Sequence, residues 1–128
     1  MGLMKPDYLL DSVILIDHLN GVAQATRYLD RLKDGAAVIS AITRAEVLTG
    51  ATPDTAYILK SFLDQFECLP LTAVIADSAA LLRQKNKWKL PDAFQAAIAL
   101  NHELKFVTRN TKDFDRKKYA FVQIPYVL

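Results

Sequence analysis

Four acidic side chains lie at comparable points of an alternating strand and helix pattern. They are Asp11 in YLLDS, Glu46 in SAITRAEVLTG, Asp92 in KLPDAFQAAIAL and Asp113 in VTRNTKDF. Carboxylates that gather in one cleft raise each other's pKa values unless a cation neutralises them. Their hard oxygen atoms suit Mg²⁺ or Mn²⁺, and magnesium held by carboxylates most often serves phosphate chemistry. The sequence therefore predicts a divalent metal site, provided that the fold brings the four acids together.

Each of these acids also has a simpler explanation as a helix cap. That explanation covers Asp11 ahead of its helix, Glu46 in a T-x-x-E pattern, Asp92 after a proline and Asp113 in an N-x-x-D pattern. Glu46 and Asp92 are both expected in the first turn of their helices. Capping explains each local sequence but not the shared topological position of all four. The partial positive charge at a helix N-terminus helps carboxylates to gather there, so the two interpretations are compatible.

The elements that would position these acids are short. Apolar runs predict buried strands at 8–10, 37–39, 68–71, 106–108 and 121–124. Helices are predicted at 12–20, 23–33, 44–48, 53–66, 72–84 and 91–102, with a short one from 112. Such alternation favours an α/β fold, a three-layer α/β/α sandwich with a short central parallel sheet. Ligands of open parallel sheets bind beyond the carboxyl ends of the strands, where each of the four acids is expected.

Composition is compatible with one cytoplasmic domain over residues 1–128, with no membrane span and no secretory signal. A net charge of +2 permits a nucleic-acid partner without requiring one. Cys68 is the only cysteine, so no internal disulfide is possible, and we expect a buried thiol. Together with Cys68, His18 and His102 do not have the spacing of a zinc site, and we expect them in structural or surface roles. Asp7 and Asp17 are expected to be surface acids.

The chain resembles the PIN-domain nucleases, and within them the VapC-type toxins of bacterial toxin–antitoxin pairs. The resemblance rests on Asp-Ser after an apolar strand, SxITxAEVLxG, LPDAxxAAxAL and VTRNTKDF, which follow one another over nearly the whole chain. It implies a PIN-like fold and a Mg²⁺- or Mn²⁺-dependent endoribonuclease that hydrolyses RNA phosphodiester bonds. One departure is Val13, which stands where the family usually has asparagine.

The resemblance also implies which residues form the site. Asp11, Glu46, Asp92 and Asp113 would be the catalytic residues and would bind one or two divalent cations. A polar residue of the last motif, Thr108 or Asn110, would join them. Asp115 is a weaker alternative to Asp113, because TKDF is the matched motif. Ser12 would orient a water molecule or a phosphate.

Basic side chains flank the acidic motifs and are candidates for binding the RNA backbone. They are Arg44, Arg109, Lys112 and the run 116–118. A solvated basic surface is the alternative for the run. Trp88 lies between lysines just before Asp92, where it would either stack on an unpaired base or, as we favour, pack in the interior.

The resemblance implies two protein partners, a cognate antitoxin that blocks the cleft and a second copy in a homodimer. Candidate groove residues for the antitoxin are Val13, Ile14, Leu48, Ile58 and Phe62. The main alternative function is a PIN-fold interaction or nucleic-acid-binding module with little or no catalysis. A receiver-type signalling domain is a weaker alternative, because this sequence lacks the lysine motif of that class. Val13 excludes the DxD pattern of haloacid-dehalogenase-like phosphatases.

Overall fold

A five-stranded parallel sheet forms the centre of the protein in a computed structural model that describes residues 5–128. The strands are β1 Tyr8–Leu10, β2 Ala37–Ser40, β3 Glu67–Leu69, β4 Lys105–Val107 and β5 Val122–Gln123, in the spatial order β3-β2-β1-β4-β5. The helices are α1 Ser12–Leu19, α2 Ala23–Asp30, α3 Ala41–Thr49, α4 Ala56–Leu63, α5 Ala73–Asn86 and α6 Leu90–Asn101. The predicted α/β fold with a short parallel sheet is confirmed.

Helices cover both faces of the sheet. Neighbouring residues of β1 point to opposite sides, so that Leu9 belongs to one buried cluster and Leu10 to another. The first cluster is completed mainly by α5 and α6, and the second by α1 to α4. The strand order reverses between β1 and β4, which lie side by side. The crevice at the carboxyl ends of these two strands is therefore the expected ligand site of such a sheet.

The start of α3 differs from the sequence prediction. The helix begins at Ala41 because the hydroxyl of Ser40 accepts a hydrogen bond from the backbone N–H of Thr43 and so caps it. Glu46 consequently lies in the second turn, and its predicted place in the first turn, as part of a T-x-x-E cap, is wrong. The helix predicted from Lys112 is a hydrogen-bonded turn instead.

Two further sequence expectations concern solvent exposure. Cys68 was expected to be buried, and that prediction is wrong, because β3 is a three-residue edge strand in which only Leu69 is buried. Trp88 is only 4% exposed and packs against Phe114 and Tyr119, with ring centroids 4.8 and 5.0 Å away. The packing interpretation of Trp88 is therefore confirmed. Within residues 5–128 no helix has the length and apolar character needed to span a membrane.

Candidate active site

Asp11 stands at the switch point of the sheet, directly after β1. It is the N-cap residue of α1, and its Oδ1 atom accepts a hydrogen bond of 2.8 Å from the backbone N–H of Ser12. Its Oδ2 atom accepts a hydrogen bond of 2.6 Å from the hydroxyl of Thr108, which follows the neighbouring strand β4. Burial raises the pKa of Asp11 above its usual range, and the hydrogen bond from Thr108 offsets part of that rise.

A buried side-chain network joins the elements that carry three of the acids. The hydroxyl of Ser40 donates to Oε1 of Gln95 over 2.7 Å, and Nε2 of Gln95 donates to the hydroxyl of Thr43 over 2.8 Å. The hydroxyl of Thr43 in turn donates to the carbonyl oxygen of Leu10, the residue before Asp11. This network, which we call the Gln95 network, links the end of β1 to the first turn of α3 and the second turn of α6.

Two helical acids lie three residues from members of the Gln95 network. Glu46 follows Thr43 by three residues and Asp92 precedes Gln95 by three residues. Residues three apart lie on the same side of a helix. Glu46 therefore lies on the same side of α3 as Thr43, and Asp92 lies on the same side of α6 as Gln95.

Asp113 is fixed by a turn and by a buried tryptophan. Its backbone N–H donates to Oδ1 of Asn110 over 3.2 Å, and Nδ2 of Asn110 donates back to Oδ2 of Asp113 over 3.0 Å. The indole N–H of Trp88 donates to the carbonyl oxygen of Asp113 over 2.9 Å. Trp88 thus contributes to the site by holding the Asp113 turn from the interior. Asp115 is exposed and accepts a hydrogen bond from the backbone of Lys117.

The four acids act on one another electrostatically. Burial raises the pKa of Asp92 to about 6, and the charges of Asp11, Asp113 and Glu46 contribute to the same rise, with Lys89 acting against it. Three other carboxylates are therefore within electrostatic reach of Asp92. Among the residues that the structure describes, no three histidine, cysteine, aspartate or glutamate side chains are grouped closely enough to hold a metal ion. The surroundings of Asp92 therefore combine partial burial with excess negative charge, while Glu46 itself is exposed.

Comparison with known proteins identifies the family. The model of the PIN domain matches residues 8–119. The chain belongs to the PIN domain family. Ribonuclease VapC10 of Mycobacterium tuberculosis is 34% identical to it over 112 residues, which are 83% of this chain and 84% of the relative. The chain is thus a homologue of the VapC ribonucleases, and the family prediction made from the four motifs is confirmed.

Solved structures show the same PIN fold. A chain of a toxin–antitoxin complex from Klebsiella pneumoniae is 36% identical, with a TM-score of 0.89 over 95% of this chain and 100% of that one. A chain of FitAcB from Neisseria gonorrhoeae is 27% identical, with a TM-score of 0.77 over 94% of this chain and 99% of that one.

The buried environment of one acid, Asp17, was not found from the sequence. Asp17 was expected at the surface, and that prediction is wrong, because its relative exposure is 7%. Its carboxylate accepts hydrogen bonds from Nε and Nη2 of Arg109, over 2.8 and 3.0 Å, and from the hydroxyl of Tyr126 over 2.8 Å. The available signal was helical spacing, since Asp17 follows the core residue Ile14 by three positions.

The stability of this PIN domain is expected to depend on pH through Asp17. Burial tends to raise the pKa of Asp17, but the hydrogen bonds from Arg109 and Tyr126 outweigh burial and lower it. An acid with a lowered pKa stabilises the fold above its ordinary value of about 3.9, and this stabilisation disappears as the pH falls through the lower folded value. We expect Asp17→Asn to cost about 1–3 kcal/mol at neutral pH, and we expect this cost to shrink as the pH falls below that ordinary value. Urea unfolding of both proteins across this range measures the difference, and a pH-independent difference would contradict the prediction.

The remaining predicted residues have mixed environments. Arg44 donates to Asp64, which follows α4, over 2.9 Å, and the Arg44 side chain is 28% exposed. Ser12 is buried, with its hydroxyl 3.5 Å from Oδ1 of Asp11. Of the residues suggested for an antitoxin groove, Ile14 is fully buried and that part of the prediction is wrong, because it faces the core under α1. Ile58 is 65% exposed and remains available on the surface.

Proposed function

We propose that this PIN domain is a Mg²⁺- or Mn²⁺-dependent endoribonuclease and the toxin of a toxin–antitoxin pair. The observation that carries the proposal is the charge environment of Asp92, whose pKa burial and three neighbouring carboxylates raise to about 6. Uncompensated negative charge of this kind calls for a cation. The relative from Mycobacterium tuberculosis is named a ribonuclease, and the one from Klebsiella pneumoniae was solved in a toxin–antitoxin complex. Both support the same assignment.

The four acids would hold the cation as oxygen ligands. Asp11 and Asp92 are our choices for direct ligands, and Glu46 and Asp113 would bind directly or through water. Magnesium retains several of its water molecules in proteins, so some of these contacts would be made through water. When bound, the ion supplies charge neutralisation at the scissile phosphate and lowers the pKa of a water molecule. Thr108 and Ser12 keep the carboxylate of Asp11 in a fixed orientation by their hydrogen bonds.

Basic side chains near Asp92 offer a path for the RNA backbone. A depression of about 580 Å³ lies at the turn between α5 and α6 and is lined in part by Arg83, Lys87 and Lys89. Lys89 is close enough to Asp92 to lower its pKa, which places a cation beside the acidic cleft. Phosphate contacts of this kind make binding weaker as salt increases. Arg44 and Asn110 are the other residues that we propose on the substrate side.

The test is incubation of the pure protein with total cellular RNA in Mg²⁺, in EDTA, and in EDTA followed by excess Mg²⁺. We expect discrete fragments with Mg²⁺, none with EDTA, and recovery on adding the metal back. The apparent KM for RNA should rise with salt concentration. Absence of fragments from folded protein free of antitoxin would reject the nuclease proposal and favour a PIN-fold binding module.

A cognate antitoxin would cover an apolar depression that reaches Glu46. This depression, of about 280 Å³, is also lined by Ile16, Leu19, Val47 and Leu59. Leu19 is 39% exposed there, so a lysine at that position would place a charge on the apolar surface that the antitoxin buries. We expect Leu19→Lys to abolish co-purification with the co-expressed antitoxin without lowering Tm. Leu100→Lys, at a residue that is 45% exposed on α6, is the matched control and should keep the complex. Full complex formation by Leu19→Lys would reject this site.

A homodimer is the second proposed partner arrangement. Val74 and Leu81 are each 67% exposed and lie seven residues apart on α5, which places them on one side of the helix. Exposed apolar side chains in this spacing suit a contact with a second copy. Light scattering of the pure protein measures the mass directly, and a monomer at micromolar concentration would reject the dimer.

A further inference from the structure

Residues of the segment that follows β4 form hydrogen bonds to two of the proposed metal ligands, Asp11 and Asp113. The hydroxyl of Thr108 donates to Oδ2 of Asp11 over 2.6 Å, and Nδ2 of Asn110 donates to Oδ2 of Asp113 over 3.0 Å. The backbone N–H of Asn110 also donates to the hydroxyl of Thr108 over 3.1 Å. Arg109 lies between these two residues, and its guanidinium donates hydrogen bonds to Asp17. The orientation of Asp11 and Asp113 therefore depends on how this segment is held.

Arg109 is held by a separate group of side chains, Asp17 and Tyr126, and we call the three residues the clamp. Two nitrogen atoms of Arg109 donate to the two carboxylate oxygens of Asp17 over 2.8 and 3.0 Å, and the hydroxyl of Tyr126 adds a third donor at 2.8 Å. The side chains of Asp17 and Arg109 are only 9% and 33% exposed. A bidentate pair of this kind fixes the plane of the guanidinium as well as its distance.

We propose that the clamp is a positioning device that keeps Asp11 and Asp113 aligned for metal binding. Pinning the guanidinium of Arg109 limits the movement of the backbone on both sides of it, where Thr108 and Asn110 hold the two acids. The clamp also ties this segment to α1 through Asp17 and to the C-terminal residues through Tyr126. The inference rests on the proposed function, because it concerns the same four acids.

The sequence interpretation gave Arg109 a different role, as a ligand of the RNA backbone. The structure commits Nε and Nη2 of Arg109 to Asp17 instead. The two roles differ in the part played by Asp17. This residue is buried, so we expect it to have no direct contact with RNA. They also differ in whether metal binding changes when RNA is absent.

The experiment measures Mn²⁺ binding by calorimetry without RNA in four proteins: wild type, Asp17→Asn, Arg109→Gln and Tyr126→Phe. We expect each variant to bind Mn²⁺ about three- to tenfold more weakly, because loss of groups that orient metal ligands weakens metal affinity by about 10- to 100-fold and the clamp acts one step further away. The double variant Asp17→Asn/Arg109→Gln should bind no more weakly than either single variant, because the pair acts as one unit.

Long-range charge alone predicts a different pattern. Losing the negative charge of Asp17 would weaken cation binding, whereas losing the positive charge of Arg109 would strengthen it. Tyr126→Phe changes no charge and would have no effect. Opposite signs for Asp17→Asn and Arg109→Gln, or unchanged affinity in all three variants, would overturn the proposal.

Two controls separate this outcome from others. Ile75→Val removes a buried methyl group from α5 at a cost of about 1 kcal/mol and should leave Mn²⁺ affinity unchanged, which excludes a general effect of lower stability. With RNA present, Asp17→Asn should lower kcat at saturating Mn²⁺ and leave the KM for RNA unchanged. Normal Mn²⁺ binding by the variants would overturn the clamp alone, whereas no binding by the wild type would overturn the proposed function and the clamp with it.

Discussion

Replacing Asp92 by asparagine is expected to abolish RNA cleavage and, at the same time, to stabilise the metal-free protein. Cleavage should fall by about 10³-fold or more, because the variant loses a negative oxygen ligand at the site where charge on the phosphate must be neutralised. The stabilisation follows from the environment of Asp92, where burial and three carboxylates disfavour its charged form. Asparagine removes that charge. We expect a gain of about 1 kcal/mol in EDTA, after allowing for the partial exposure of the side chain.

The measurement combines cleavage rates with thermal unfolding in EDTA and in Mg²⁺. Mg²⁺ should raise the Tm of the wild type and have little effect on Asp92→Asn, because the ion stabilises only the state that binds it. Asp77→Asn is the matched control, since it removes an exposed carboxylate from α5 and should change neither quantity. Lower stability in EDTA together with lost activity would indicate a structural role for Asp92 and contradict the prediction.

The fold was largely predictable because the sheet is encoded locally. Short apolar runs identified all five strands, and alternation with helices gave parallel pairing. The errors occurred where a single contact sets a boundary. Ser40 caps α3 earlier than the T-x-x-E pattern suggested, and this moves Glu46 into the second turn. Cys68 sits in an apolar stretch that turned out to be an edge strand, and strand order does not follow from local pattern.

The acids of the candidate site could be identified from the sequence, whereas the residues that form hydrogen bonds around them could not. The acids occur in recognisable motifs, but their supports act across the sequence. Gln95 reaches Thr43 over a separation of 52 residues, and Arg109 reaches Asp17 over 92. Trp88 was correctly placed in the interior, yet its hydrogen bond to Asp113 could not be inferred from packing alone. Side-chain pairs of this kind depend on the finished fold, which local periodicity does not determine.

Gln95→Met is expected to lower both stability and catalysis by removing the Gln95 network at nearly constant side-chain volume. The hydroxyls of Ser40 and Thr43 are fully buried, and each would lose one hydrogen-bond partner. Each keeps its other partner, the backbone N–H of Thr43 for Ser40 and the carbonyl oxygen of Leu10 for Thr43. The buried O–H of Ser40 loses its acceptor, which costs about 1–3 kcal/mol, and the lost hydrogen bond to Thr43 adds about 1 kcal/mol, so we expect a loss of about 2–4 kcal/mol in the free energy of unfolding. Cleavage should also slow about tenfold or more well below Tm, because α3 and α6 lose the connection that sets Glu46 and Asp92 relative to Asp11.

Ile98→Ala separates the two effects. Ile98 is fully buried on the same helix, one turn beyond Gln95, and its truncation should cost a comparable 2–5 kcal/mol or so without touching a polar partner. Urea unfolding and single-turnover cleavage at a temperature where both variants are folded provide the comparison. A catalytic loss confined to Gln95→Met would mean that the network sets the positions of the acids. Equal rates in the two variants would mean that the Gln95 network contributes only to stability, because a general loss of packing on α6 would then account for any slowing.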